Sequence, residues 1–157
     1  MSNQSENKVV VGAGLVGSLL GTVLARLGYS VDIYERRVDM RKESISAGRS
    51  INLAMSVRGI HALEKLGIQE SIMKKAIAMP GRIIHPVSGP TVFQRYGKDD
   101  SESIYSISRS ELNKMLMSIA EQTGKVKIHF QEKLVSVDFG NKKLNFQNDK
   151  TKDSKHR

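Results

Sequence analysis

Lys8-Val9-Val10-Val11-Gly12-Ala13-Gly14-Leu15-Val16-Gly17, followed after a helical stretch by Val31-Asp32-Ile33-Tyr34-Glu35, decides the fold of this chain. Lys8–Val11 is a short apolar run of the kind that forms a buried parallel strand. Gly12 to Gly17 fit the spacing G-x-G-x-x-G. Leu15, Val16, Leu19, Leu20, Val23, Leu24 and Leu27 then recur at helical spacing, and Gly28 stands where a helix would end. Val31–Glu35 reads as the next strand, which completes a strand–helix–strand unit.

Each glycine answers a separate physical demand. The first permits a tight turn out of the strand, the second lets backbone approach a diphosphate, and the third lets the helix pack closely. The diphosphate would then rest on the helix N-terminus, where unpaired N–H groups and the helix dipole favour negative charge. Glu35 lies 18 residues beyond Gly17, at the end of the second strand, where an acid would accept hydrogen bonds from ribose hydroxyls. The plainer alternative is a set of packing glycines and a solvated glutamate. The order strand, glycine loop, apolar helix, strand, acid favours a dinucleotide. The motif alone does not separate FAD from NAD. A 2′-phosphate would meet the carboxylate of Glu35, although Arg36 and Arg37 follow it closely. The strand before Gly12 is about one residue shorter than this pattern usually shows, so a weak first strand is expected.

The rest of the chain gives a coarser pattern. Residues 36–50 are polar, rich in Arg and Ser, and read as loop. Ser56 is placed to cap a helix running to Leu66, with Gly67 just past its end, and a second short helix covers 69–76. Residues 82–86 and 91–96 form a hairpin across Val87-Ser88-Gly89-Pro90, and Ile104–Ile107 is a further strand. Ser108-Arg109-Ser110-Glu111 has the form of a capping box before a helix bearing Leu112, Met115, Leu116 and Ile119. Strands follow at 126–130, 133–139 and 143–146, the last two joined across Gly140-Asn141. Residues 1–7 and the polar stretch 147–157 carry no period and read as disordered, leaving 8–146 as the folded domain, interrupted by the hairpin near 82–97.

Composition narrows the function classes. The chain has 157 residues, 39% of them hydrophobic and 26% charged, with a net charge of +9. The absence of cysteine excludes disulfides and thiolate metal sites. His61, His85, His129 and His156 show no metal-ligand spacing. Basic residues are scattered, and four Phe, four Tyr and no Trp offer little for base stacking, so nucleic acid is not the expected partner. The plainest reading of the charge is a soluble domain with a basic tail; a dianionic cofactor and a carboxylate substrate suit it next best. No apolar run approaches the roughly 18 residues of a membrane span, and the polar N-terminus does not read as a signal peptide.

Beyond Glu35 the sequence resembles the FAD-dependent aromatic-ring hydroxylases, and within that family the branch that acts on kynurenine. The carrying stretches are Gly12–Ser18, Tyr34-Glu35-Arg36, Gly48-Arg49-Ser50-Ile51-Asn52-Leu53-Ala54, Ser56–Gly59, Arg82-Ile83-Ile84-His85 with Ser88-Gly89, Tyr96-Gly97, Ser106-Ile107-Ser108-Arg109 and Leu112-Asn113. They cover roughly residues 8–138. The resemblance implies an α/β, Rossmann-like FAD-binding (GR2-type) fold, incomplete here, with part of a small β layer on the substrate side. It puts Gly12, Gly14, Val16 and Gly17 in the pyrophosphate turn and Tyr34, Glu35, Arg36 and Arg37 around the adenosine ribose. It brings Ala54 and Arg109 to the cofactor and Leu134 to the adenine side. Arg82 and Tyr96 match the residues that grip the amino-acid carboxylate of L-kynurenine. Both sit on neighbouring strands, and a guanidinium fork with a phenol donor suits one carboxylate. The family uses NADPH as reductant and resembles enzymes of the mitochondrial outer membrane; a chain without their anchor would be cytoplasmic.

The family's later motifs, including a Gly-Asp-Ala-type segment for the flavin and the C-terminal anchor, do not occur in these residues. Weak or no FAD binding and negligible hydroxylation are therefore expected of the chain by itself. Two alternatives share the first strand–helix–strand unit. An NAD-dependent dehydrogenase domain predicts further β–α alternation after Glu35, where an Arg-rich loop and a hairpin stand instead. A non-catalytic nucleotide-binding fragment would keep the glycine loop without turnover.

Overall fold

The computed structural model describes residues 7–42, 51–99 and 102–148, together with the backbone of 154–156. The family-like residues Gly48, Arg49 and Ser50 lie outside the described residues. The chain divides into two compact units: Met1–Ala47 with Asn113–Arg157, and Gly48–Leu112. The insertion is thus wider than the hairpin alone.

The first unit is built on a parallel sheet. Strand β1 (Asn7–Val11) pairs with β2 (Ser30–Glu35), which pairs with β8 (Val126–Phe130), in the order β1-β2-β8. The first strand is not deficient. It has five residues, and its register runs unbroken from Asn7↔Ser30 to Val11↔Tyr34. Helices α1 (Leu15–Arg26) and α4 (Arg109–Gln122) supply Ala25, Met117 and Ala120 to a core shared with Val10, Val31, Ile33, Val126 and Ile128 of the sheet. The period-2 alternation of the strands puts these five side chains on one face. Each fully buried aliphatic chain contributes about 1.5–3 kcal/mol. On the opposite face Tyr34 stacks on His129 and on Phe146, with ring centroids 4.7 and 4.2 Å apart. Phe146 belongs to an antiparallel sheet of β9 (Glu132–Asp138), β10 (Lys143–Asn148) and β11 (Ser154–His156), ordered β11-β10-β9. Where the sequence suggested a disordered stretch from Gln147, β10 runs on to Asn148 and β11 pairs with it.

The buried face of α1 differs from the expected leucine face. Ser18, Gly21, Thr22 and Ala25 face inward, while Val16 and Leu27 are 79% and 68% exposed. Small residues are selected because the helix lies close to the sheet: a Cβ on Gly21 would come 2.8 Å from Cδ1 of Ile33. The two hydroxyls cost little inside, since Ser18 Oγ donates to the Ala13 carbonyl and Thr22 Oγ1 to the Ser18 carbonyl.

The second unit holds β3 (Asn52–Met55), β7 (Ile104–Ser108) and β4 (Ile77–Met79), an antiparallel sheet ordered β3-β7-β4. Helices α2 (Val57–Lys65) and α3 (Gln69–Met73) and the hairpin of β5 (Gly81–Ile84) and β6 (Val92–Arg95) complete it. The short helix expected over 69–76 stops at Met73, and the next residues turn into β4. Ser56 occupies the N-cap of α2, but its hydroxyl makes no cap bond. Ser108 caps α4 weakly, accepting from the Glu111 N–H at 3.5 Å and pairing with Ser110 Oγ at 2.9 Å.

Candidate functional site

The glycine loop joins β1 to α1 and has the geometry the motif demands. Gly12 adopts a φ of +95°, which a side chain would resist, and donates its N–H to the Tyr34 carbonyl at 2.8 Å. Gly17 leaves no room for a methyl group: a Cβ there would stand 1.9 Å from the Gly12 carbonyl oxygen. Gly14 is the reverse case. Its φ and ψ of −75° and −176° suit any residue, and among the described residues nothing lies within 4 Å of a Cβ built on it. Gly14 is also the N-cap of α1 and carries no side chain to accept from the first turn. The leading N–H groups of a helix have no acceptor within it. Donors, dipole and open space thus converge at Gly14, Leu15 and Val16, a cradle that a side chain would fill and a diphosphate fits.

Glu35 ends β2 against this loop and is 8% exposed. Its Oε2 accepts from the Ala13 N–H at 2.9 Å and its Oε1 from the Arg37 N–H at 3.0 Å. A carboxylate offers about four acceptor positions, so ribose hydroxyls would use those that remain. Of the residues expected around the ribose, Tyr34 reaches the loop through its carbonyl, because its ring is buried between His129 and Phe146. Arg36 and Arg37 are exposed; Arg37 Nε lies 3.4 Å from Glu35 Oε1 with its side chain 66% exposed, an ion pair worth about 0–1 kcal/mol. Leu134, half-buried on β9, lies opposite Phe146.

Two contacts around this site were not legible in the sequence. Asn113, on α4, donates its amide to the Ala13 carbonyl at 3.1 Å and approaches Met40 Sδ at 3.2 Å. The available signal was a polar residue four and seven positions before the buried Met117 and Ala120, on the same helix face. Arg41 grips Asp39 with Nε and Nη2, both at 2.8 Å, and reaches Glu121 on α4 with Nη1 at 2.6 Å. The Arg41 guanidinium holds the Asp39 carboxyl below its ordinary range, and Asp39 in turn raises the guanidinium. The loop leaving β2 is thereby tied to the helix that carries Asn113.

In the second unit, Ala54 is exposed on β3 opposite Ser106. Arg109, the first residue of α4, is exposed and donates its backbone N–H to the Ile51 carbonyl at 3.3 Å. Arg82 pairs with Gln94 across the hairpin, its Nε donating to Gln94 Oε1 at 2.8 Å. The Tyr96 N–H extends the ladder to the Pro80 carbonyl. Alternation therefore sets Arg82, Gln94 and Tyr96 on one face of the hairpin, with Tyr96 46% exposed. Among the described residues no cluster of His, Asp or Glu could hold a metal ion.

The sequence matches the family described as FAD binding domain over residues 7–156. The chain belongs to that family. FAD is accordingly its cofactor, and neither the dehydrogenase nor the non-catalytic alternative finds support in the comparisons. The kynurenine 3-monooxygenase of Myxococcus xanthus is 52% identical over 148 residues, which is 94% of this chain and 32% of that protein. That of Xanthomonas campestris pv. campestris is 51% identical over 130 residues, 83% of this chain and 28% of the relative. The chain thus spans about a third of the length of the curated relatives it matches. Among solved structures, the p-nitrophenol 4-monooxygenase of Pseudomonas putida has a TM-score of 0.75 at 18% identity, covering 96% of this chain and 39% of that one. The 2-methyl-3-hydroxypyridine-5-carboxylic acid oxygenase has a TM-score of 0.71 at 19% identity, covering 98% and 38%. At those identities the likeness establishes the fold. Within the described residues no helix is long and apolar enough to cross a membrane.

Proposed function

We propose that this chain supplies the FAD-binding portion of an NADPH-dependent flavin monooxygenase that hydroxylates L-kynurenine to 3-hydroxykynurenine, in tryptophan degradation and NAD biosynthesis. The observation that carries the reading is the open cradle at Gly14 beside Glu35, whose carboxylate accepts from the neighbouring Ala13 N–H. The identity near 50% to proteins named kynurenine 3-monooxygenase supports the substrate. The leading amides of α1 hold the diphosphate, and Glu35 with Arg36 and Arg37 flanks the ribose. Ala54 approaches the flavin, Arg109 contacts the cofactor and Leu134 lines the adenine side. Bound FAD, reduced by NADPH, supplies the activation of O2 that delivers a hydroxyl to the aromatic ring. Arg82 and Tyr96 orient the substrate by its amino-acid carboxylate, the guanidinium contributing a charge-assisted pair and the phenol one donor. The Myxococcus and Xanthomonas relatives are bacterial, which gives the mitochondrial placement no support.

The test is a titration of the purified chain with FAD, followed by the visible flavin band, with NAD as competitor. A shifted, structured band that excess NAD leaves in place supports the reading; displacement by NAD at equal concentration contradicts it. For the substrate, L-kynurenine should bind more tightly than its decarboxylated amine, and Arg82→Met should abolish that difference. Equal binding of both compounds would remove kynurenine's carboxylate from the account.

A further inference from the structure

We infer that Asn113 is a positioning residue for the diphosphate site, acting through the peptide between Ala13 and Gly14. The inference rests on the FAD reading and names a part that the glycine motif itself does not contain.

Asn113 lies on α4, distant in sequence from the loop it touches. Its Nδ2 donates to the Ala13 carbonyl oxygen at 3.1 Å and faces Met40 Sδ at 3.2 Å. Both neighbours are acceptors, so the nitrogen must face them; turning the amide over would set oxygen against oxygen. Oδ1 is left buried without a hydrogen-bond partner among the described residues. A buried acceptor without a partner keeps the cost of its lost hydration. Retaining an amide at that cost points to the donor end as the part being used.

What the donor fixes follows from peptide geometry. A peptide unit is planar and trans, so its C=O and N–H point in opposite directions. Ala13 is 2% exposed and is held at both ends. Glu35 Oε2 takes its N–H, while Asn113 Nδ2 and Ser18 Oγ converge on its carbonyl at 3.1 and 3.3 Å. With that carbonyl pinned inward, the N–H of Gly14 is aimed outward, into the space where no described residue stands within 4 Å of a Cβ. Without the Asn113 donor this plane is held by one long hydroxyl bond, and the Gly14 N–H loses its fixed direction. Preorganised donors avoid an ordering cost on binding, so the loss appears as affinity. Arg41, linking Asp39 to Glu121, ties the loop to the same helix and keeps Met40 beside the Asn113 amide.

The experiment compares the full 157-residue chain with Asn113→Asp, Asn113→Ala and Asn113→Gln. Asn113→Asp keeps the shape and replaces the donor by an acceptor; Asn113→Gln keeps the donor. FAD affinity should fall on the order of tenfold in Asn113→Asp and Asn113→Ala and recover in part in Asn113→Gln. In the free protein the Ala13 carbonyl carbon and Gly14 amide resonances should move in Asn113→Asp while those of Val31–Ile33 stay. Equal FAD affinity in wild type and Asn113→Asp, or unmoved Ala13 and Gly14 resonances, would overturn the inference. If the wild-type chain by itself bound no FAD, the clamp would stand or fall on the two resonances.

Discussion

Gly14 and Gly17 belong to one motif, but an added methyl group meets opposite surroundings at each. At Gly17 it would overlap the Gly12 carbonyl oxygen, 1.9 Å away, and that neighbour is backbone that cannot swing aside. At Gly14 it would enter space that no described residue fills, on a backbone that alanine adopts readily. Gly17→Ala should therefore cost about 1–3 kcal/mol of stability in a denaturant titration. Gly14→Ala should leave stability within about 0.5 kcal/mol of wild type and still weaken FAD binding at least tenfold, because its Cβ occupies the cradle. Normal FAD affinity in Gly14→Ala would show that the diphosphate lies elsewhere. The motif and Glu35 were legible in the sequence because their spacing is local. The contact of Asn113 was not, because its partner lies a hundred residues away, although Leu112-Asn113 itself is one of the stretches that carry the resemblance.

The loop after β2 shows how an element can be fixed by charge where hydrophobic pattern is absent. Read as sequence it is polar and without period, yet Asp39, Arg41 and Glu121 tie it to α4. Asp39 is 9% exposed and its folded pKa is lowered, chiefly by the Arg41 hydrogen bond. A lowered carboxyl contributes stability that is present above its unfolded value near 3.9 and is lost as pH falls through the folded value. Asp39→Asn should therefore be less stable than wild type by about 1.5–3 kcal/mol at pH 7, with the gap closing below about pH 4. A gap that persists unchanged at pH 2–3, by thermal melts across the range, would remove the ion pair as its source. Arg41→Lys should recover only part of the wild-type stability, because an ammonium cannot span both Asp39 oxygens and Glu121 as the fork does. The strands β3 and β4 escaped sequence reading for a different reason. Each is three or four residues long and pairs with β7, which no local pattern reveals.

Across the whole molecule, 25 Lys and Arg against 16 Asp and Glu give a net charge of +9, and the cofactor of the family is an anion. Long-range attraction of that kind is screened over about 8–10 Å at physiological salt. FAD association should slow several-fold between about 0.05 and 0.5 M NaCl, while dissociation changes less. Salt-independent association would confine recognition to the cradle. The nucleotide unit was largely visible in the sequence, since its parallel strands and glycine helix follow from patterns a few residues long. The covering sheet of β9, β10 and β11 was half visible: its hairpin was marked by Gly140-Asn141, and its third strand lies in a polar stretch. The most direct measurement is an amide-resolved titration of the 15N-labelled chain with FAD. However weak the binding, the shifts should be largest at Gly14, Leu15 and Val16, with Glu35 and Arg37 following. Saturable binding that leaves those amides unmoved would contradict this account.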